Sequence, residues 1–178
     1  SQILDAQDIP RFARLNVIAS MQTTHATSDM PWVPTRIGPE RTAEGAYVWQ
    51  KLMKSGVVIA NGSDFPVEEA NPMLGFYAAI TRQDPQGNPI GGWMPDERMT
   101  REEALASFTK NAAYAAHMER ELGTIEPGKL ADFVVLSRDI MTIAPREILT
   151  TRVLKTIIGG RIVYEDSAIP TTGAGAPE

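Results

Sequence analysis

The chain has 178 residues, 43% hydrophobic and 22% charged, a composition that supports a packed core rather than disorder. Its net charge of −5 argues against a nucleic-acid surface but leaves a small-molecule site open. There is no cysteine, which excludes disulfides, thiolate metal ligands and a cysteine nucleophile. No apolar run reaches the roughly 18 residues that a membrane-spanning helix needs, so no membrane partner is expected.

In chain order, Asp8 is placed to cap a short helix over residues 8–15. The apolar run 17–21 that follows has the length of a strand buried on both faces. Residues 39–55 read as one helix, with Ala43, Tyr47, Trp49 and Leu52 among its apolar positions and Gly56 as its stop. A second apolar run, 57–60, follows at once. Non-alternating strands separated by helices indicate parallel βα units. Asn71 and Pro72 open a helix over 72–81. Thr100-Arg101-Glu102-Glu103 is a capping box for a helix over 101–108. Residues 111–121 read as helical, ending at Gly123. Beyond Gly123 the pattern turns to β: strands at 133–136 and 153–158, then Gly159-Gly160 as the tight turn of a hairpin returning through 161–164. The tail, 167–178, ends in a Gly/Ala/Pro-rich stretch expected to be disordered.

Asn61-Gly62-Ser63-Asp64 follows directly on a buried parallel strand, and ligands bind at the C-terminal ends of such strands. Gly62 would let the backbone turn and offer Asp64 to the mouth. The alternative is that Asp64 caps its own turn through an Asx hydrogen bond. His25 also lies just past a buried strand, one βα unit away, so the two side chains can meet at one mouth. A neutral imidazole there could ligate a metal or accept a proton, or simply bond to backbone. The chain's other histidine, His117, falls in the 111–121 helix without a partner and reads as structural. Glu68 and Glu69 read as a solvated loop. Trp32, Arg36 and Arg41 belong to the connection after His25, and Arg82 ends the 72–81 helix where a cation suits the helix dipole. No dinucleotide fingerprint, P-loop or nucleophile elbow occurs. A hydrolytic metal site needs three or more protein ligands, so His25 and Asp64 alone fall short.

The segments 19–26, Arg36-Ile37-Gly38-Pro39-Glu40-Arg41, Gly62-Ser63-Asp64-Phe65-Pro66-Val67-Glu68 and Asn71-Pro72 resemble the amidohydrolase superfamily. More narrowly they resemble its branch of exoenzyme regulatory proteins and N-substituted formamide deformylase. Residues 123–136, from Gly123-Thr124-Ile125-Glu126-Pro127-Gly128 through Ala131-Asp132, resemble the passage from barrel to small β-sandwich in such chains. The match covers roughly residues 1–166.

The resemblance implies an α/β fold: the C-terminal portion of a (β/α)8 barrel in residues 1–122, with 17–21 and 57–60 as the last two strands. Residues 123–166 would then form the C-terminal part of the β-sandwich. It implies a parent enzyme that hydrolyses a non-peptide C–N, amide-type bond with metal-activated water. Asp64 would be metal ligand and proton acceptor, and His25 and Ser63 would touch substrate. The cofactor implied is a divalent metal, zinc, held by the parent and not tightly by this piece. The partners implied are a small amide-type substrate, the missing N-terminal part and further copies of the chain; a cytoplasmic location is favoured. The contrasting reading is a non-catalytic regulatory or dimerisation module. A quarter of a barrel would expose apolar strand faces, and the 123–166 region would lack partner strands.

Overall fold

In the computed structural model, which describes residues 1–168, both apolar runs become strands. Strand β1 (Ala19–Met21) and strand β2 (Ile59–Asn61) pair in parallel, with Ala19 opposite Ile59 and Met21 opposite Asn61. Ala19 N–H donates to Val58 O at 2.9 Å and Gly62 N–H to Met21 O at 3.1 Å, which extends the ladder at both ends. The strands sit toward the C-terminal end of each run. Val17, expected inside the first, is 42% exposed. The expected apolar exposure of these strands is not found: β2 is buried throughout and β1 is buried at Ala19 and Met21.

Helices wrap this pair: α1 (Ile9–Arg14), α2 (Thr23–Asp29), α3 (Val33–Ile37), α4 (Pro39–Gly45), α5 (Trp49–Lys54), α6 (Pro72–Thr81), α7 (Arg101–Phe108), α8 (Lys110–Ala115) and, later, α9 (Pro145–Ile148). Two caps behave as their sequences require. Asn71 accepts from Met73 N–H at 3.0 Å, and Thr100 and Glu103 form both bonds of a capping box. Asp8 does not cap α1; its backbone is already helical and its carboxylate instead bonds Arg11. Helix α6 approaches α2 and α7 closely because residue 75 is glycine. A Cβ there would lie 2.8 Å from Phe108 Cζ and 3.2 Å from Thr23 Oγ1. Thr23 Oγ1 uses the approach to donate to Gly75 O at 2.7 Å. On the other side of β2, Asn61 Nδ2 donates to Ser107 Oγ at 2.8 Å and Asn111 Nδ2 to Ile59 O at 3.0 Å, fastening α7 and α8.

The expected single helix over 39–55 is two. Between α4 and α5 the chain bends at Ala46-Tyr47-Val48, all buried, with Tyr47 at φ 52°. The reason is tertiary. The N-terminal segment enters here, with Ile3 bridged antiparallel to Ala46, Leu4 N–H donating to Gly45 O at 2.9 Å and Tyr47 N–H to Gln2 O at 2.7 Å. The helix expected over 111–121 stops at Ala115. His117 takes φ 57°, and Met118 N–H donates back to Ala113 O while His117 N–H reaches Tyr114 O, a Schellman closure. His117 thus lies just outside the helix and terminates it.

Arg82 ends α6 as read from the sequence, capping it in the left-handed region at φ 58°, and its side chain is completely buried. Nε donates to Trp93 O at 2.8 Å and Nη1 to Tyr47 O at 2.9 Å. The guanidinium carbon lies 4.2 Å from the Trp49 ring centroid and 5.0 Å from that of Trp93. Burial lowers the Arg82 pKa to about 10, with Glu97 and Tyr47 acting against the shift. Glu97 is itself buried and accepts from Gln50 N–H at 2.7 Å, fixing the start of α5.

The C-terminal part forms a separate antiparallel sheet, β3 (Phe133–Leu136), β4 (Val153–Ile158) and β5 (Arg161–Glu165), in that order. The hairpin turns at Gly159 and Gly160, as the sequence reading has it. The expected disorder over 167–178 falls largely outside the described residues. Among the described residues no helix is long and apolar enough to cross a membrane.

Two stability tests follow. Arg82→Lys keeps the charge but cannot reach both carbonyls or stack on both indoles, so it should destabilise the chain by about 2–4 kcal/mol. The check is a urea midpoint shift at unchanged slope. Burial, and then the bond to Asp29, raises the Tyr47 phenol above its ordinary 10.0. Above that pH the unfolded chain releases a proton that the folded chain keeps. Relative to Tyr47→Phe, the wild type should therefore lose stability as pH rises past 10, by up to about 1.4 kcal/mol per pH unit. The difference between the two in urea titrations from pH 9 to 11 isolates this contribution, because the lowered Arg82 pKa, which favours folding as pH rises, is common to both.

Candidate active site

Because β1 and β2 run parallel, their C-terminal ends open at the same edge. Past β1 the chain enters the first turn of α2, which carries Thr24 and His25; past β2 it runs through Gly62 and Ser63 to Asp64. The two expected side chains do meet there. His25 Nε2 lies 3.8 Å from Asp64 Oδ2, with the imidazole 9% exposed and the carboxylate 51% exposed. His25 is in the first turn of a helix and buried. Its Nδ1 is bonded by the Gln2 carboxamide, while Nε2 has no hydrogen-bond partner.

The turn expected of Gly62 is made by Asp64 itself, at φ 57°. This left-handed backbone is tolerated by Asp but uncommon for a residue with a side chain. The Asx alternative is not what holds it. Val67 N–H closes the turn on the Asp64 backbone carbonyl at 2.8 Å, and Ser63 Oγ accepts from Phe65 N–H at 3.3 Å. Among the described residues the Asp64 carboxylate accepts no hydrogen bond. It is therefore free to address a ligand. Ser63, read as substrate-binding, is engaged in this local turn, beside the exposed Phe65 and Val67.

Among the described residues no hydrogen bond or ion pair joins the remaining candidates to this pair. Arg36 stacks over the half-exposed Trp32, 5.9 Å from its ring centroid, and Arg41 and Glu69 are exposed. No group of three or more His, Cys, Asp or Glu side chains able to hold a metal ion occurs among the described residues. Gln2 was missed by sequence reading. It is a lone polar residue in an irregular segment, and nothing in its neighbourhood announces a partner 23 positions away.

The amidohydrolase family profile matches residues 1–164, nearly the whole chain. The chain belongs to the amidohydrolase family. YtcJ of Bacillus subtilis is 35% identical over 94% of this chain, which spans only 31% of that protein. N-substituted formamide deformylase of Arthrobacter pascens is 34% identical over 65% of this chain and 21% of its own length. Among solved structures, an uncharacterized metal-dependent hydrolase from Pyrococcus horikoshii superposes with a TM-score of 0.70. It is 28% identical, over 81% of this chain and 29% of that one. The chain thus spans about a third or less of each of these three proteins.

Asp64→Asn should change folding stability by less than about 0.5 kcal/mol, because the carboxylate is half-exposed and makes no bond that the amide would lose. Thr23→Val, which removes the buried bond to Gly75 O, should cost about 1–2 kcal/mol by the same denaturant titration.

Proposed function

We propose that this chain is the C-terminal portion of a metal-dependent amidohydrolase barrel, contributing its last two strands in residues 1–122. Residues 123–166 are then part of a small β-sandwich, which accords with a separate three-stranded sheet left largely exposed. The parent enzyme hydrolyses a non-peptide, amide-type C–N bond. The observation that carries this reading is the free Asp64 carboxylate facing the buried His25 Nε2 across the C-terminal ends of two parallel strands.

A carboxylate with open lone pairs at a strand end fits a metal site as one ligand. One is too few, so the other ligands come from elsewhere in the parent, and the 178 residues alone are expected to be inactive. A divalent cation, zinc by the family resemblance, would supply an acidified water at neutral pH. Asp64 would hold that cation together with the parent's other ligands, and its carboxylate would accept a proton from an attacking water and return it to the leaving nitrogen. His25, held at the wall of the mouth, binds an oxygen of the substrate, and Ser63 lines the approach.

The full-length protein should bind about one or two zinc-like ions per chain. Asp64→Asn should lower hydrolysis of its best substrate, from a panel that includes N-alkyl formamides, about 10³-fold. Absence of bound metal from the full-length protein, or undiminished turnover by the variant, would overturn the reading.

A further inference from the structure

His25 has two ring nitrogens with different fates. Nδ1 is covered by the Gln2 carboxamide, whose nitrogen faces it. An amide N–H can only donate, so Nδ1 accepts and the single proton of the neutral ring sits on Nε2. The other side of the ring favours the same. Nε2 faces Asp64 Oδ2, an atom that only accepts, and a lone pair turned toward it would be repelled. Both neighbours favour one tautomer, but the half-exposed Asp64 lies beyond hydrogen-bond distance and favours it weakly, so Gln2 decides it.

Nε2 is buried and unpartnered, and 3.8 Å from the carboxylate is too long for a hydrogen bond. An N–H in that position is an unspent donor. Off the line joining the two groups it can reach an acceptor oxygen at about 2.9 Å while Asp64 addresses an adjacent atom. It cannot ligate a metal, because ligation needs the nitrogen lone pair.

Gln2 is well placed for this work. Its backbone carbonyl accepts from Tyr47 N–H at 2.7 Å, and the bridge from Ile3 to Ala46 ties down the next residue. The side chain is thus presented from a fixed backbone. We propose that Gln2 is a positioning residue that locks His25 as an Nε2–H donor at the mouth, assigning this histidine to a substrate oxygen and withholding it from the metal. The proposal rests on the reading that His25 and Asp64 face substrate.

The test is the ¹⁵N spectrum of histidine-labelled full-length protein at about pH 8, where an ordinary imidazole is neutral. The His25 signals are assigned by their loss in His25→Gln. The wild type should show a pyrrole-type Nε2 and a pyridine-type Nδ1, and adding zinc should leave Nε2 pyrrole-type. Gln2→Leu should bring both nitrogens toward tautomer-averaged shifts. Gln2→Glu, which supplies an acceptor instead of a donor, should put a proton on Nδ1 and abolish its pyridine-type signal. A protonated Nδ1 in the wild type, a zinc-bound Nε2, or a Gln2→Leu spectrum like the wild type would each overturn the proposal. Hydrolysis by Asp64→Asn judges the active-site reading separately, so the two can fail independently.

Discussion

A guanidinium with no exposure to water has to be held by something, and most of this molecule is arranged around holding one. Taking Arg82 out of water costs several kcal/mol. The Trp49 and Trp93 rings return about 1–2 kcal/mol each as cation–π contacts, and two carbonyl acceptors return about as much again. The depressed Arg82 pKa is the same balance seen from the proton's side: desolvation leads, and Glu97 only partly opposes it. The acceptors are what make the arrangement consequential. Trp93 O belongs to the segment after α6, and Tyr47 O to the bend between α4 and α5. One side chain therefore fixes three pieces of chain that are far apart in sequence.

The brace extends to the mouth through backbone bonds. Arg82 holds Tyr47 O, Tyr47 N–H holds Gln2 O, and the Gln2 side chain holds His25 Nδ1. At the end of this series stand the features that a protein optimised only for stability would not keep. Among the described residues, Nε2 of His25 is buried without a partner, and Asp64, at φ 57°, accepts no hydrogen bond on its carboxylate. Buried polar atoms without a partner among the described residues also occur inside the brace, at Trp49 Nε1 and Arg82 Nη2; those at the strand ends lie where binding and catalytic positions are usually found. The brace is rigid because its polar ties are buried and its aromatic faces are packed, as in the edge-to-face contact of Tyr47 with Trp93 at 5.9 Å.

What was legible in the sequence divides along the range of the interaction responsible. The apolar runs at 17–21 and 57–60 and the caps at Asn71 and Thr100 are short-range signals, and each leads to the right element. Asp64 and His25 were legible as neighbours because parallel pairing follows from non-alternating strands, and parallel pairing puts their ends together. The break at Ala46–Val48 was not legible, because local helix preference there is overridden by an N-terminal segment more than 40 positions away. The place of Arg82 at the end of α6 was legible; its burial was not, because only the tertiary approach of Trp49 and Trp93 makes the interior the better place. Gln2 gives no local signal at all, since its role exists only in the contact with His25.

The two halves of the chain stand differently toward water, and this bears on where the site sits. Alternation along a strand should bury one face, yet Ile162, Val163 and Tyr164 of β5 are 54%, 55% and 50% exposed, so neither face is covered. Between this sheet and α8 runs an open groove of about 670 Å³, lined by Ala112, Ala116, Ile125, Val134 and Ile157 among others. With few buried apolar contacts, the sheet should open at lower free energy than the helical half. The His25–Asp64 pair belongs to the other half, in which β1, β2 and the helices around Arg82 bury one another. The later segment adds Ile140 and Ile148 to the same core, but the exposed sheet adds little to it. The positions of Asp64, His25 and Gln2 therefore do not depend on whatever covers the sheet, and their chemistry can be judged apart from it.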